Sequence, residues 1–123
     1  MKVPILKQGP YLIATIQSAI SDKDLLQLRD ELAEQVGKYR SLGVIVDVTV
    51  IDVMDSFAVR TLRAISQMIR LRGAQTVIAG IQPDIAFAMV QLGMTLGDAL
   101  TALDLEEGLA LLKRQTRRNQ RAQ

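Results

Sequence analysis

The chain contains no cysteine, no histidine and no tryptophan. These absences exclude disulfides, thiol nucleophiles, imidazole acid–base chemistry and zinc sites of the usual kind. Aromatic residues make up only 3%, so stacking platforms for single-stranded nucleic acid or sugars are not expected. No apolar run approaches the ~20 residues that a membrane-spanning helix needs. The opening MKVPILKQGPYL lacks the layout of a signal peptide. A soluble, cytoplasmic protein is the expectation, with no membrane or nucleic-acid partner.

What is present suits one globular domain. The chain has 123 residues and is 49% hydrophobic, enough to bury a real core. The formal charge of +2 conceals an asymmetry. The last eleven residues, KRQTRRNQRAQ, hold five of the 15 Lys+Arg and none of the 13 Asp+Glu. Without them ten basic residues face thirteen acidic ones, a net −3 for residues 1–112. Cationic residues suit a helix C-terminus, so residues 116–123 are expected to be a basic, frayed helix end beyond a domain of residues 1–115.

Periodicity orders the chain as ββαβαβαβα, an α/β domain with a mixed sheet and alternating helices. Val3 to Lys7 and Tyr11 to Ile16 flank Gly9-Pro10 and read as a hairpin. Ser21 and Asp24 have capping-box spacing at the start of a helix. Leu25, Leu28, Leu32 and Val36 form its buried stripe, and Gly43 reads as its stop signal. Gly43 to Val48 and Gln75 to Ala79 are nearly continuous apolar runs, as expected of central strands. Between them a helix is expected from Ser56 to Leu71. Pro83 suits the first turn of a third helix. Ala99 to Leu103 reads as an edge strand. Asp104 and Glu107 again have capping-box spacing, before a last helix that packs through Leu105, Leu109 and Leu112.

The segment DVTVIDVMDSFAVRTL, residues 47–62, carries the functional signal. A strand ends at Asp47, a loop follows, and Asp55-Ser56 opens a helix. Sites in open α/β sheets are built at that edge. A helix start offers free N–H groups and the positive end of a dipole, which favour a phosphate. Asp and Ser are also the preferred N-cap residues, so a plain cap is the other reading, and loss of Ser56 as a cap would cost ~1 kcal/mol. Ala58, Leu62, Ile65 and Ile69 share the face turned to the sheet. Ser56, Arg60, Arg63 and Gln67 share another, and Ser56 is expected to be exposed there. Residues 56–72 hold four arginines and no carboxylate, which is either a solvated basic face or a docking surface for an acidic partner. Gln82 and Asp84, in the next strand-end loop, are expected to border Ser56.

With this element order and this segment, the chain resembles the STAS domain, the fold of anti-sigma-factor antagonists. In that family an Asp-Ser pair opens a helix and the serine is phosphorylated by a partner kinase; here the pair is Asp55-Ser56. Ordinary antagonists follow that serine with a second Ser and a Gly, whereas this chain has Phe57 and Ala58. The segments KVPILK, TVIAGIQPDIAFAMVQLG and TALDLEEGLALLKR resemble a narrower group, the RsbS-type stressosome scaffold proteins. The resemblance implies a non-catalytic, cofactor-free subunit of a large signalling particle in the general stress response. It implies RsbR-type STAS sensor proteins and an RsbT-type serine kinase as partners. Phosphorylation at Ser56 would release the kinase, with Asp55, Phe57, Arg60, Arg63, Gln82 and Asp84 on the partner surface. A stand-alone antagonist that binds its anti-sigma kinase directly is the alternative. An enzyme with Mg²⁺ held by Asp47, Asp52, Asp55 and Asp84 is the more distant one. It lacks a GxxxxGK(S/T) loop, a histidine and the loop lysine that a receiver domain uses.

Overall fold

The nearly continuous apolar run at residues 11–16 must bury two faces at once, and the sheet solves this by taking helices on both sides. The computed structural model describes residues 3–121. Strand β1 (Ile5–Gln8) turns through Gly9-Pro10 into β2 (Tyr11–Thr15). The two pair antiparallel from Ile5↔Ala14 to Gln8↔Tyr11. Gly9 sits at φ +59°, a conformation that a Cβ disfavours. Strands β3 (Gly43–Asp47), β4 (Gln75–Ala79) and β5 (Leu100–Ala102) then add in parallel, giving the order β1-β2-β3-β4-β5. The hairpin begins two residues later than its apolar run, because Pro4 supplies only a carbonyl, which accepts from Thr15 N–H at 3.2 Å.

The helices are α1 (Asp22–Tyr39), α2 (Ser56–Leu71), α3 (Pro83–Gln91) and α4 (Leu105–Arg121). Side chains of Leu12, Ala14, Val44, Val46 and Ile78 meet the buried stripes of α1 and α2 on one face of the sheet. Tyr11, Ile13, Ile45, Val77 and Ala79 meet Leu112 of α4 on the other. The period-two alternation of each strand thus divides between two apolar layers. Among the described residues no helix is long and apolar enough to cross a membrane.

Helix starts follow the expected chemistry. The Ser21 hydroxyl accepts from Asp24 N–H at 3.1 Å, and the Asp24 carboxylate accepts from Ser21 N–H at 3.4 Å. At α4 the Asp104 carboxylate accepts from Glu107 N–H at 2.8 Å, while Glu107 reaches one residue further back, to Leu103 N–H at 3.4 Å.

One expectation is corrected. Gly43 does not end α1. The left-handed position is Arg40, at φ 49° and ψ 47°, whose N–H donates to Val36 C=O. Gly43 is the first residue of β3, and packing explains its lack of a side chain. A Cβ there would lie 2.7 Å from Leu112 Cδ2 and 3.2 Å from Tyr11 Cδ1. Helix α4 runs past residue 115. It continues to Arg121, and Thr116 Oγ1 lies 3.1 Å from Tyr11 Oη in β2. A buried phenol needs a polar partner, and Thr116 is that partner. Beyond it the exposed arginines continue the helix; residues 122 and 123 of the expected tail lie outside the described residues.

Gly43 and Gly108 both face the α4–sheet contact, yet they differ. At Gly108 a Cβ would meet Ile45 Cδ1 and Val77 Cγ1 at 3.5 Å, ordinary van der Waals contact. Gly43→Ala is therefore expected to destabilise by about 1–3 kcal/mol through overpacking. Gly108→Ala is expected to be neutral or to stabilise by up to ~1 kcal/mol through helix propensity. Urea denaturation followed by circular dichroism measures both. Equal losses in the two variants would contradict the packing described.

Candidate functional site

The site is built where β3 runs out. Asp47, its last residue, folds the chain back on itself: its Oδ1 accepts from Thr49 N–H at 3.0 Å and from Thr49 Oγ1 at 2.6 Å. This is an Asx turn, the local bond that Asp side chains favour. Ile51 N–H then donates to Val48 C=O at 2.9 Å, and Ile51 is buried. On either side of Ile51, Val50 and Val53 are left 54% and 81% exposed.

Asp55 is the N-cap of α2. Its backbone is extended, at φ −84° and ψ 176°, and its Oδ1 accepts from Ala58 N–H at 2.8 Å. Capping therefore falls to Asp55 and not to Ser56. Ser56 is the first residue of the helix, and its hydroxyl makes no hydrogen bond among the described residues. It is half-buried, less open than its place on the helical face alone predicts. The amides of Ser56 and Phe57 belong to the unpaired first turn, and no acidic residue occupies that turn.

Arg60 lies one turn further along, exposed and without an ion pair among the described residues. Arg63 is also exposed, with its Cγ 3.2 Å from where a Cβ on Gly97 would sit, so its stem rests on the loop after α3. Phe57 is half-buried and packs against the main core, which leaves only part of its ring to a partner. Thr61 and Ser66 are buried at 7% and 1% exposure. Ser66 Oγ donates to Arg63 C=O at 2.8 Å.

The neighbouring loop is tied in. Gln82 is the N-cap residue of α3 but does not cap it. Its Nε2 instead donates to Thr49 C=O at 2.9 Å, bridging the loops before α2 and α3. Gly80, at φ +82°, lies against Thr49, and a Cβ there would come within 3.0 Å of Thr49 Cα. That close approach lets the two loops touch. Asp84 is exposed in the first turn of α3. A cavity of about 320 Å³ opens under the α2 start, lined by Ile16, Ile20, Leu25, Met54 and Leu62, with Asp52 and Asp55 among its wall residues. Among the described residues no group of three or more carboxylates is placed to hold a metal ion.

Sequence reasoning named the helix start, the arginines and the second loop. It missed Val50 and Val53. A signal was available, since VTVIDVMD carries more apolar side chains than one short loop can bury.

A parallel sheet closed by one antiparallel hairpin, with a helix-capping aspartate and an uncommitted serine at its carboxyl edge, defines the class. The STAS-domain family matches residues 2–105, and the chain belongs to that family. It is similar to the solved structure of RsbS from Moorella thermoacetica, in a variant with serine replaced by glutamate. The TM-score is 0.82 and the identity 32%, over 95% of this chain and 99% of that one. It is also similar to a chain of the stressosome, described as a signal integration and transduction hub, with a TM-score of 0.76, 31% identity and coverage of 93% and 99%. The RsbT co-antagonist protein RsbRA of Bacillus subtilis (strain 168) is 34% identical over 83 residues. Those residues are 68% of this chain but only 30% of RsbRA, so this chain spans under a third of that relative.

The division of labour between Asp55 and Ser56 has a measurable consequence. Asp55→Ala should lower stability by ~1 kcal/mol, the usual loss for an N-cap. Ser56→Ala should stay within about 0.5 kcal/mol of the unaltered chain. Chemical denaturation of both variants decides the matter, and a larger loss at Ser56 would reverse the assignment.

Proposed function

We propose that this chain is a non-catalytic scaffold subunit of a stressosome-type particle, holding a serine kinase and releasing it when Ser56 is phosphorylated. The observation that carries the reading is the free hydroxyl of Ser56 at the first position of α2, with capping assigned to Asp55. The similarity to RsbS and to a stressosome chain supports the assembly. In this reading the partners are RsbR-type STAS sensors and an RsbT-type kinase, in the cytoplasm. The kinase contacts Asp55, Ser56, Arg60 and Arg63, together with Gln82 and Asp84, and the exposed Val50 and Val53 extend the surface.

Electrostatics give the switch its sign. A phosphate brings about −1.5 to −2 charges at pH 7. The α2 amides and Arg60 favour an anion at this place, so the domain tolerates the modification. A kinase that docks an acidic surface against the α2 arginines meets the new charge directly. A loss of ~1.4 kcal/mol weakens binding tenfold, and a divalent anion inside a desolvated interface exceeds that.

Incubation with the kinase and ATP, followed by mass spectrometric mapping, tests the acceptor. Phosphate should appear on Ser56, and the Ser56→Ala variant should take up none. Phosphate chiefly on Thr49 would overturn the proposal. So would phosphate on buried Thr61 or Ser66, which the kinase reaches only if α2 opens.

A further inference from the structure

Charge is sorted along the strands. Strands β2 to β5 are parallel, so each helix starts at their carboxyl edge and ends toward their amino edge. The carboxyl edge, which carries Ser56, holds nine of the 13 carboxylates, Asp47, Asp55, Asp84 and Asp104 among them. The amino edge is the reverse and holds ten of the 15 Lys+Arg. Its carboxylate is Asp98, and the next nearest, Glu34 and Glu31, lie a turn or more back along α1.

The ten cations are joined by contacts. Lys38 and Arg40 close α1, Arg70 and Arg72 close α2, and all four are exposed. The Arg72 guanidinium lies across Gly37, so the two helix ends form one surface. Lys7 extends it to the hairpin. Its ammonium donates to Gly9 C=O at 3.1 Å and stands 5.7 Å from the centre of the Tyr39 ring, which Lys38 approaches to 5.2 Å. Next along the hairpin, Tyr11 meets Thr116 of α4. The last nine residues of that helix, KRQTRRNQR, add five exposed cations and no carboxylate. None of the ten is in an ion pair among the described residues. A helix end does not ask for so many. Its dipole favours positive charge in the last turn, but Lys113, Arg114 and Arg117 come before that turn. Helical geometry puts the five within an arc of roughly 140°, opposite the leucines that pack on the sheet. Leu112 packs at Gly43, the first residue of β3, so about 13 Å of cationic helix follows that contact.

We infer that the amino edge, with the end of α4 as its main contact, binds the phosphodiester backbone of a single-stranded nucleic acid without regard to sequence. Unpaired Lys and Arg on one surface gain affinity for phosphates by releasing the counterions condensed on the strand. The scarcity of aromatics, which argued against a nucleic-acid partner, excludes stacking on bases and leaves the backbone. Other polyanions fit less well. A helix that lies on an anionic bilayer buries an apolar face in it. Residues 113–121 have no apolar side chain, and Leu112 ahead of them is committed to the sheet. An acidic protein would find no aliphatic or aromatic anchor on this stretch, and such anchors carry much of the energy of a protein interface. A flexible strand needs neither, and it can follow the step from α4 over the hairpin to the ends of α1 and α2. The surface lies at the edge opposite Ser56 and shares no residue with the surface described there, so this binding stands independently of the kinase reading.

Fluorescence anisotropy tests it, with the purified full chain titrated into a labelled single-stranded RNA of mixed sequence, about 20 nucleotides long, at several salt concentrations. Five phosphate contacts should give a slope of about −3.5 for the logarithm of affinity against that of salt. Single-stranded DNA of equal length should bind within about threefold, since phosphate contacts carry no sugar or base readout. Arg117→Gln with Arg118→Gln should flatten the slope by about 1.4 and weaken binding at least about tenfold at low salt, with an unchanged far-ultraviolet dichroism spectrum. Lys23→Gln with Arg29→Gln removes the same charge away from this edge and should leave slope and affinity nearly as they were. If the α4 variant loses helix, Lys38→Gln with Arg70→Gln serves in its place. No binding at low salt, a slope near zero, or equal weakening by the Lys23 and Arg29 substitutions overturns the inference. So does a preference beyond about tenfold for one of the two nucleic acids. Tighter binding to phosphatidylserine vesicles or to poly-glutamate than to the RNA also overturns it, assigning the edge to a membrane or to an acidic protein.

Discussion

One hydrogen bond sets the character of the site: the Asp55 carboxylate accepting from Ala58 N–H at 2.8 Å. A helix start has orphan amides that some side chain must satisfy. Had Ser56 taken that duty, its oxygen would be committed to the backbone, and modifying it would cost the cap. With Asp55 one residue earlier, the helix is anchored and the serine is left over. The hydroxyl then lies at a position where the dipole favours an anion, on a helix with no carboxylate of its own. A capped helix start and an uncommitted hydroxyl coexist because the cap is Asp55 and not Ser56.

The loop that carries this arrangement is held from both ends. Asp47 closes its first turn on Thr49. Gln82 gives up capping α3 to hold the Thr49 carbonyl, and Gly80 leaves the space that lets the two loops touch. Beneath them the central strands β3 and β4 are buried on both faces, with Val44, Ile45, Val46, Val77 and Ile78 inaccessible to solvent. A charge added at Ser56 therefore acts on a rigid edge. In the proposed switch the effect falls on what docks there and not on the domain beneath.

Much of this was legible in residue order. The limits of α2 and β4 follow from Gly73, Gly80 and the switch in hydrophobic period, and the structure agrees with them. Long-range packing was not legible. Gly43 has the local look of a helix stop, but its reason lies nearly seventy positions away, in Leu112. Arg40 takes the left-handed position despite its Cβ, which propensity alone does not predict. The extent of α4 depends on Thr116 meeting Tyr11 across the sheet, a pairing that the polar sequence of the last turns does not announce. At the site, the residue types pointed to the edge, but assigning the cap between Asp55 and Ser56 required the backbone angles. The exposure of Val50 and Val53 likewise depends on which single loop residue, Ile51, the core takes.

The central claim is that phosphate on Ser56 changes binding and not folding. Calorimetric titration of the RsbT-type kinase against the unmodified and the Ser56-phosphorylated chain, with amide NMR spectra of both forms, tests it most directly. The account predicts at least a tenfold rise in Kd, ~1.4 kcal/mol. It also predicts amide shifts confined to residues near the α2 start and the Thr49 and Gln82 loops. Equal affinities for the two forms would contradict the switch, and shifts spread through the buried strands would contradict the rigid edge on which it acts.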